Sequence, residues 1–183
     1  MQSRQTEIIS LARSCLAVAV PSGQVVVLAK AARVELLQAL GGSFTVKLRG
    51  RLYRIDGRHA DALGRPEPPA PATPEGGDDE ALLEQVWQQL RSCFDPEIPV
   101  NIVELGLVYR CRLDRTWRGK RRVRVEMTLT APTCGMGSIL VEDVRRRLLD
   151  LPLVDQAEVK LVFDPPWDAS RMSEAARLQS GLF

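Results

Sequence analysis

Apolar positions along the chain follow two different periods, and the change from one to the other divides it. In the first part they alternate in short runs. Strands are expected over residues 11–20, 24–28, 33–38, 43–48 and 51–55, rich in valine and leucine. Within residues 43–48, Phe44, Val46 and Leu48 fall on one side. Turns are expected at Pro21 to Gly23 and at Gly41 and Gly42. A small barrel or a curled sheet is the expected outcome, with residues 29–40 readable instead as a helix.

The second part begins with a helical stripe. Leu82, Leu83, Val86, Trp87 and Leu90 recur at helical spacing, and Asp78 or Asp79 can cap a helix over residues 80–91. A strand is expected over residues 107–113 and a hairpin connection over 116–120. In RRVRVEMTL, Val123, Val125, Met127 and Leu129 alternate with polar neighbours, as in a half-buried strand. Residues 138–149 read as a helix with Leu140, Val141, Val144 and Leu148 inward, and Pro152 marks its stop. Ala157, Val159, Leu161 and Phe163 give a third strand. A last helix is expected over residues 170–179. The order helix, strand, strand, helix, strand predicts a small mixed sheet with two helices on one face.

Between the two parts lies RPEPPAPATPEGGDD, with five prolines, two glycines and no large apolar residue. Such a stretch builds no core. The expected division is therefore a β-rich module over residues 1–64, a linker over 65–79 and an α/β sandwich over 80–183. The fold class is α+β.

Composition narrows the function. At 45% hydrophobic and 26% charged the chain is globular, and a net charge of +2 gives no general affinity for nucleic acid. The apolar runs are too short to span a bilayer. The four cysteines form no CxxC pair, and the start of the chain lacks a basic-then-apolar leader pattern. A cytoplasmic location with reduced thiols is expected.

One cysteine stands apart. Cys134 lies in LTAPTCGMGS, where a strand ends and a helix is about to begin. Gly135 and Gly137 let backbone approach closely, and the amides of a first helical turn favour an anion such as a thiolate. Pattern alone leaves three roles open: a buried structural thiol, a metal or cluster ligand, or a redox or nucleophilic thiol. Cys15, Cys93 and Cys111 read as structural. The lone histidine, His59, falls in the other module, so a Cys–His hydrolase has no base. Closed zinc motifs and a phosphate-binding GxxxxGK[ST] are absent from the sequence.

A second segment, DPEIPVNIVELGLV, combines two prolines with buried-type residues, as a rigid loop pinned to the core would. Asp95 and Glu97 either cap and solvate that turn or face the Cys134 loop and orient a ligand. Asn101 is expected to bond to backbone. Arg115, Arg118, Lys120, Arg121, Arg122 and Arg124, with Trp117 among them, decorate the hairpin. They read first as a charged sheet edge and second as an RNA contact, and Arg145 to Arg147 extend the patch.

The segments DPEIPVNIVELGLVY, MTLTAPTCGMG and FDPPW with MSEAARLQ together resemble the MIP18-type iron–sulfur assembly family, once called domain of unknown function 59. With GRLYRIDGRHADALG, the similarity to SUF-system members extends over about residues 10–181, the linker excepted. The resemblance implies a non-enzymatic accessory factor in iron–sulfur protein maturation. It implies Cys134 as the functional thiol and possible metal contact, with Asp95, Glu97 and Thr130 at the family's acidic and threonine positions. Gly135 and Gly137 belong to the same loop, and Thr133 stands where many relatives carry glycine. The implied partners are SUF-type assembly machinery and apo-clients, with a homodimer as one arrangement. The implied cofactor is a transient cluster or iron, none tightly bound. Two other classes stand beside it: a thiol–disulfide redox protein and an RNA-binding module.

Overall fold

The structure is a computed structural model. It describes residues 7–69, 71, 78–94, 100–131 and 137–180. The chain forms two compact units, Met1–Pro69 and Ala70–Phe183, each with its own buried cluster.

The first unit is a six-stranded antiparallel sheet. Its strands are β1 (Glu7–Ser10), β2 (Cys15–Val20), β3 (Val25–Leu28), β4 (Arg33–Leu40), β5 (Ser43–Leu48) and β6 (Arg51–Asp56). They lie in the order β1-β4-β5-β6-β2-β3, an open sheet among the described residues, so the barrel alternative falls. Alternation places Val34, Val46 and Ile55 on the same fully buried side. The helix alternative over residues 29–40 also falls, since Ala31 has φ 64 and β4 starts just beyond it. The run 11–20 is not one strand. The Leu11 and Ala12 amides bond to the Ala32 and Ala62 carbonyls, so the chain turns before β2. Sequence periodicity missed β1 and the 3-10 segment Gly57–Leu63, both too short to repeat a period. Within that segment His59 lies 3.4 Å from the Arg13 guanidinium, which pairs with Asp61.

The second unit stacks helices on one side of a three-stranded mixed sheet. Helix α1 (Asp79–Arg91) is capped by Asp78, whose side chain accepts from the Glu80 amide. Its buried stripe is Leu82, Val86 and Leu90. Strands β7 (Val108–Arg115) and β8 (Arg121–Met127) form an antiparallel hairpin. Helix α2 (Gly137–Leu149) then crosses over to β9 (Gln156–Leu161), which runs parallel to β8. Val123, Val125 and Met127 of β8 share one buried cluster with α1 and with Leu140, Val144 and Leu148 of α2. The opposite side of β8 carries Arg122, Arg124 and Glu126.

The expected last helix over 170–179 is divided. A 3-10 turn, Ala169–Arg171, is followed by extended Met172 and then by α3 (Glu174–Ser180). The Ser173 amide bonds to the Glu104 carbonyl, and the Ser173 hydroxyl accepts from the Ala176 amide. That pairing takes the chain out of helix at Met172 and caps a new one. Met172 and Ala176 still reach the core.

The proline-rich stretch is engaged at both ends. Arg65 bonds to the Ala60 carbonyl and pairs with Glu7, while Asp78 and Asp79 open α1.

Candidate functional site

The thiol loop is defined by its two ends. Beyond β8, the Thr128 amide bonds to the Leu107 carbonyl and the Val162 amide to the Met127 carbonyl, both at 2.8 Å. Leu129 is buried, Thr130 half-buried and Ala131 exposed. Gly137, buried, opens α2, and a Cβ placed on it would lie 2.6 Å from Leu129 Cδ1. The loop therefore leaves from and returns to one core side chain. Cys134 and Gly135 lie outside the described residues.

The acidic segment has fixed ends too. Phe94 bridges Asn101 in antiparallel fashion, and the Ile102 amide bonds to the Cys93 carbonyl at 2.9 Å. Asn101 Oδ1 accepts from the Val103 and Glu104 amides, as its sequence context predicts. Val100, Ile102, Leu105 and Leu107 are buried beyond it. Asp95 and Glu97 lie outside the described residues, and so does their expected approach to Cys134.

A buried charged link joins the helix after one loop to the turn before the other. Arg147 of α2 donates to Asp143 at 3.0 Å and to the Ser92 hydroxyl at 3.2 Å. Ser92 is the C-cap of α1 and in turn donates to the Gln89 carbonyl. Sequence reading placed Arg147 on a basic surface. It is buried instead, and the Asp143–Arg147 spacing of four was the signal for it.

The other thiols are withdrawn. Cys15 and Cys93 are buried, and Cys93 donates to the Gln89 carbonyl. Burial pushes the Cys15 thiol up, and pushes Cys111 up to about 11. Both stay protonated at neutral pH, the form that neither attacks nor ligates. Among the described residues, no group of three or more His, Cys, Asp or Glu is placed to hold a metal ion. Thr128 Oγ1, at the exit from β8, is buried without a hydrogen-bond partner among the described residues.

The basic hairpin is partly neutralised by its own neighbours. Arg115 and Arg121 converge on Asp79, holding its carboxyl below the usual range through those hydrogen bonds. Arg122 and Arg124 pair with Asp114, and Arg124 also with Glu158. Arg118 lies over Trp117, its Cζ 4.4 Å from the ring centroid. Four of the hairpin's six cations share three carboxylates, so this edge keeps a net positive charge while most of its arginines are committed to ion pairs.

Residues 83–161 match the family model described as iron–sulfur cluster assembly protein. The chain is 38% identical over 104 residues to the Fe-S protein maturation auxiliary factor YitW of Bacillus subtilis (strain 168), an alignment covering 57% of this chain and 98% of that protein. This chain belongs to the iron–sulfur cluster assembly protein family. The Fe-S protein maturation auxiliary factor SufT of Staphylococcus aureus (strain USA300) is 36% identical over 89 residues, covering 49% of this chain and 97% of its own. A crystal structure of a domain of unknown function, DUF59, from Bacillus anthracis aligns at 34% identity and a TM-score of 0.49, covering 57% of this chain and 95% of that one. The iron–sulfur assembly match falls within the second unit and contains both candidate loops; Met1–Pro69 lies outside it.

Proposed function

We propose that this chain is a non-enzymatic accessory factor in the maturation of iron–sulfur proteins, and that Cys134 handles iron or a cluster in passing. The carrying observation is the identity with maturation auxiliary factors over nearly their whole length. The choice of Cys134 is supported by the state of the other thiols, two buried and one pushed up to about 11.

The chemistry favours a temporary bond. A stable cluster generally wants four ligands, mostly thiolates. One thiol leaves the remaining positions to a partner, a second copy or small thiols. Incomplete ligation by this chain makes release to an apo-client easy. On this reading the partners are SUF-type assembly machinery and apo-clients, and the cluster is cargo. On this reading Asp95, Glu97 and Thr130, at the family's acidic and threonine positions, serve that exchange.

Anaerobic incubation with iron and sulfide, followed by absorption and Mössbauer spectra, tests the reading. Wild type is expected to acquire cluster signals that pass to an apo-acceptor. Cys134→Ala is expected to stay folded by circular dichroism and to lose both. Equal loading by the variant sinks the role of Cys134.

A further inference from the structure

The second unit carries a cleft of about 450 Å³, lined by Gly106, Val108, Tyr109, Pro165 and Arg171. It is a shallow cleft, open to solvent and lined more by polar than by apolar surface. Four of these residues lie in the segments that carry the family resemblance, none of them with an individual role assigned there.

The walls are fixed by contacts from chain segments far apart in sequence. Trp167 Nε1 donates to the Leu105 carbonyl at 2.8 Å, and the Ser173 amide to the Glu104 carbonyl at 2.9 Å. Between these two stitches, the Arg171 carbonyl presses on Gly106. A Cβ there would lie 2.2 Å from that oxygen, and Gly106 has φ +67. Only glycine suits both conditions. Tyr109 donates its hydroxyl to the Pro165 carbonyl at 2.9 Å, which fixes the ring. The Arg171 guanidinium lies over that ring, its Cζ 4.6 Å from the centroid.

Arg171 has an ion-pair partner in Asp168, but the contact is too long for a hydrogen bond. Asp168 comes no nearer than 4.0 Å to its Nε, and Asp168 already accepts from the Ser170 amide and hydroxyl. Among the described residues no side chain accepts a hydrogen bond from the Arg171 guanidinium. A stacked guanidinium keeps its N–H fork for an acceptor at its edge, the geometry that suits a carboxylate. Among the described lining residues it is the single cation, which matches one negative charge better than a phosphate dianion. Val108 and Pro165 give the same cleft apolar wall for a short aliphatic stem.

We propose that this cleft is a carboxylate-binding site, reading an aliphatic carboxylate through Arg171 stacked on Tyr109. The carboxylate comes from an acidic side chain of a partner protein or from a free small acid. The inference does not depend on cluster handling by Cys134.

Amide NMR spectra of the full chain, titrated separately with Ac-Ala-Glu-Ala-NH2, its glutamine analogue and glutarate, test it. Saturable shifts around Gly106, Tyr109 and Ser170 to Ser173 are expected with at least one carboxylate probe and not with the glutamine peptide. A response to the glutamate peptide alone assigns the site to a partner's side chain; one to glutarate as well assigns it to the carboxylate group itself. Arg171→Gln is expected to weaken binding at least tenfold, with Arg171→Lys intermediate. If Arg171→Gln unfolds, Arg171→Lys and Tyr109→Leu carry the comparison. No saturable shift with either acid, an equal response to the glutamine peptide, or undiminished binding by folded Arg171 variants overturns the proposal.

Discussion

Gly137 rests on Leu129 closely enough that an added Cβ would stand 2.6 Å from Leu129 Cδ1 and 3.4 Å from Leu161 Cδ1. The thiol loop is thereby closed by packing at its base. A β-branched side chain at the first residue of α2 must displace a buried leucine. Gly137→Val is expected to cost about 1–3 kcal/mol, the usual range for overpacking. Urea unfolding measures it, and an unchanged midpoint would mean the loop base is loose.

Alkylation of the native protein at pH 7.5, read by mass spectrometry, is expected to label Cys134 first and leave Cys15, Cys93 and Cys111 protected. Cys111 carries a pH signature of its own. Burial raises its pKa from 9.0 to about 11, so the folded state keeps a proton that the unfolded chain releases. Its contribution to stability is full below about pH 9 and is lost as pH rises through about 11, at most about 2–3 kcal/mol. Cys111→Val is expected to flatten the decline in unfolding midpoint across that window.

Asp79 gives the opposite sign. Hydrogen bonds from Arg121 and Arg115 lower its pKa, so its contribution is present at neutral pH and is lost as pH falls through and below the ordinary carboxylate range. The group is exposed, and the effect is small. Asp79→Asn is expected to lower the melting temperature at pH 7 by no more than about 2 °C. The two proteins should converge toward pH 2. A difference that persists in acid would trace the loss to the helix start rather than to the ion pairs.

Thr128 buries a hydroxyl with no partner among the described residues. Replacing it by an isosteric apolar group removes the desolvation cost of that oxygen. Thr128→Val is expected to raise stability by about 1 kcal/mol in denaturant unfolding. A loss of similar size would show that the hydroxyl is hydrogen-bonded in solution.

Much of the architecture was legible because single elements announce it. Val123, Val125 and Met127 alternate, and Leu82, Val86 and Leu90 repeat at helical spacing; both patterns became buried faces. Asp78 as a cap and Asn101 as a backbone acceptor were readable because they act on residues two or three positions away. Features set by distant partners were not readable. The pull of Glu104 on Ser173 divides the last helix, and Gly106 meets Arg171 only after the sheet has formed. Arg147 was misread because a run of three arginines hides which one turns inward. Of the candidate site, Thr130 and Gly137 fall among the described residues, at the margins of the loop; Cys134, Gly135, Asp95 and Glu97 fall outside them.

The two buried clusters share no member, and none of the described residues between them belongs to either. Each unit thus holds its apolar interior in its own keeping. Excision of either at the proline run, or exchange of one for a foreign module, is expected to leave the survivor's own buried cluster whole. The maturation auxiliary factors of Bacillus subtilis and Staphylococcus aureus align over almost their full length with about half of this chain.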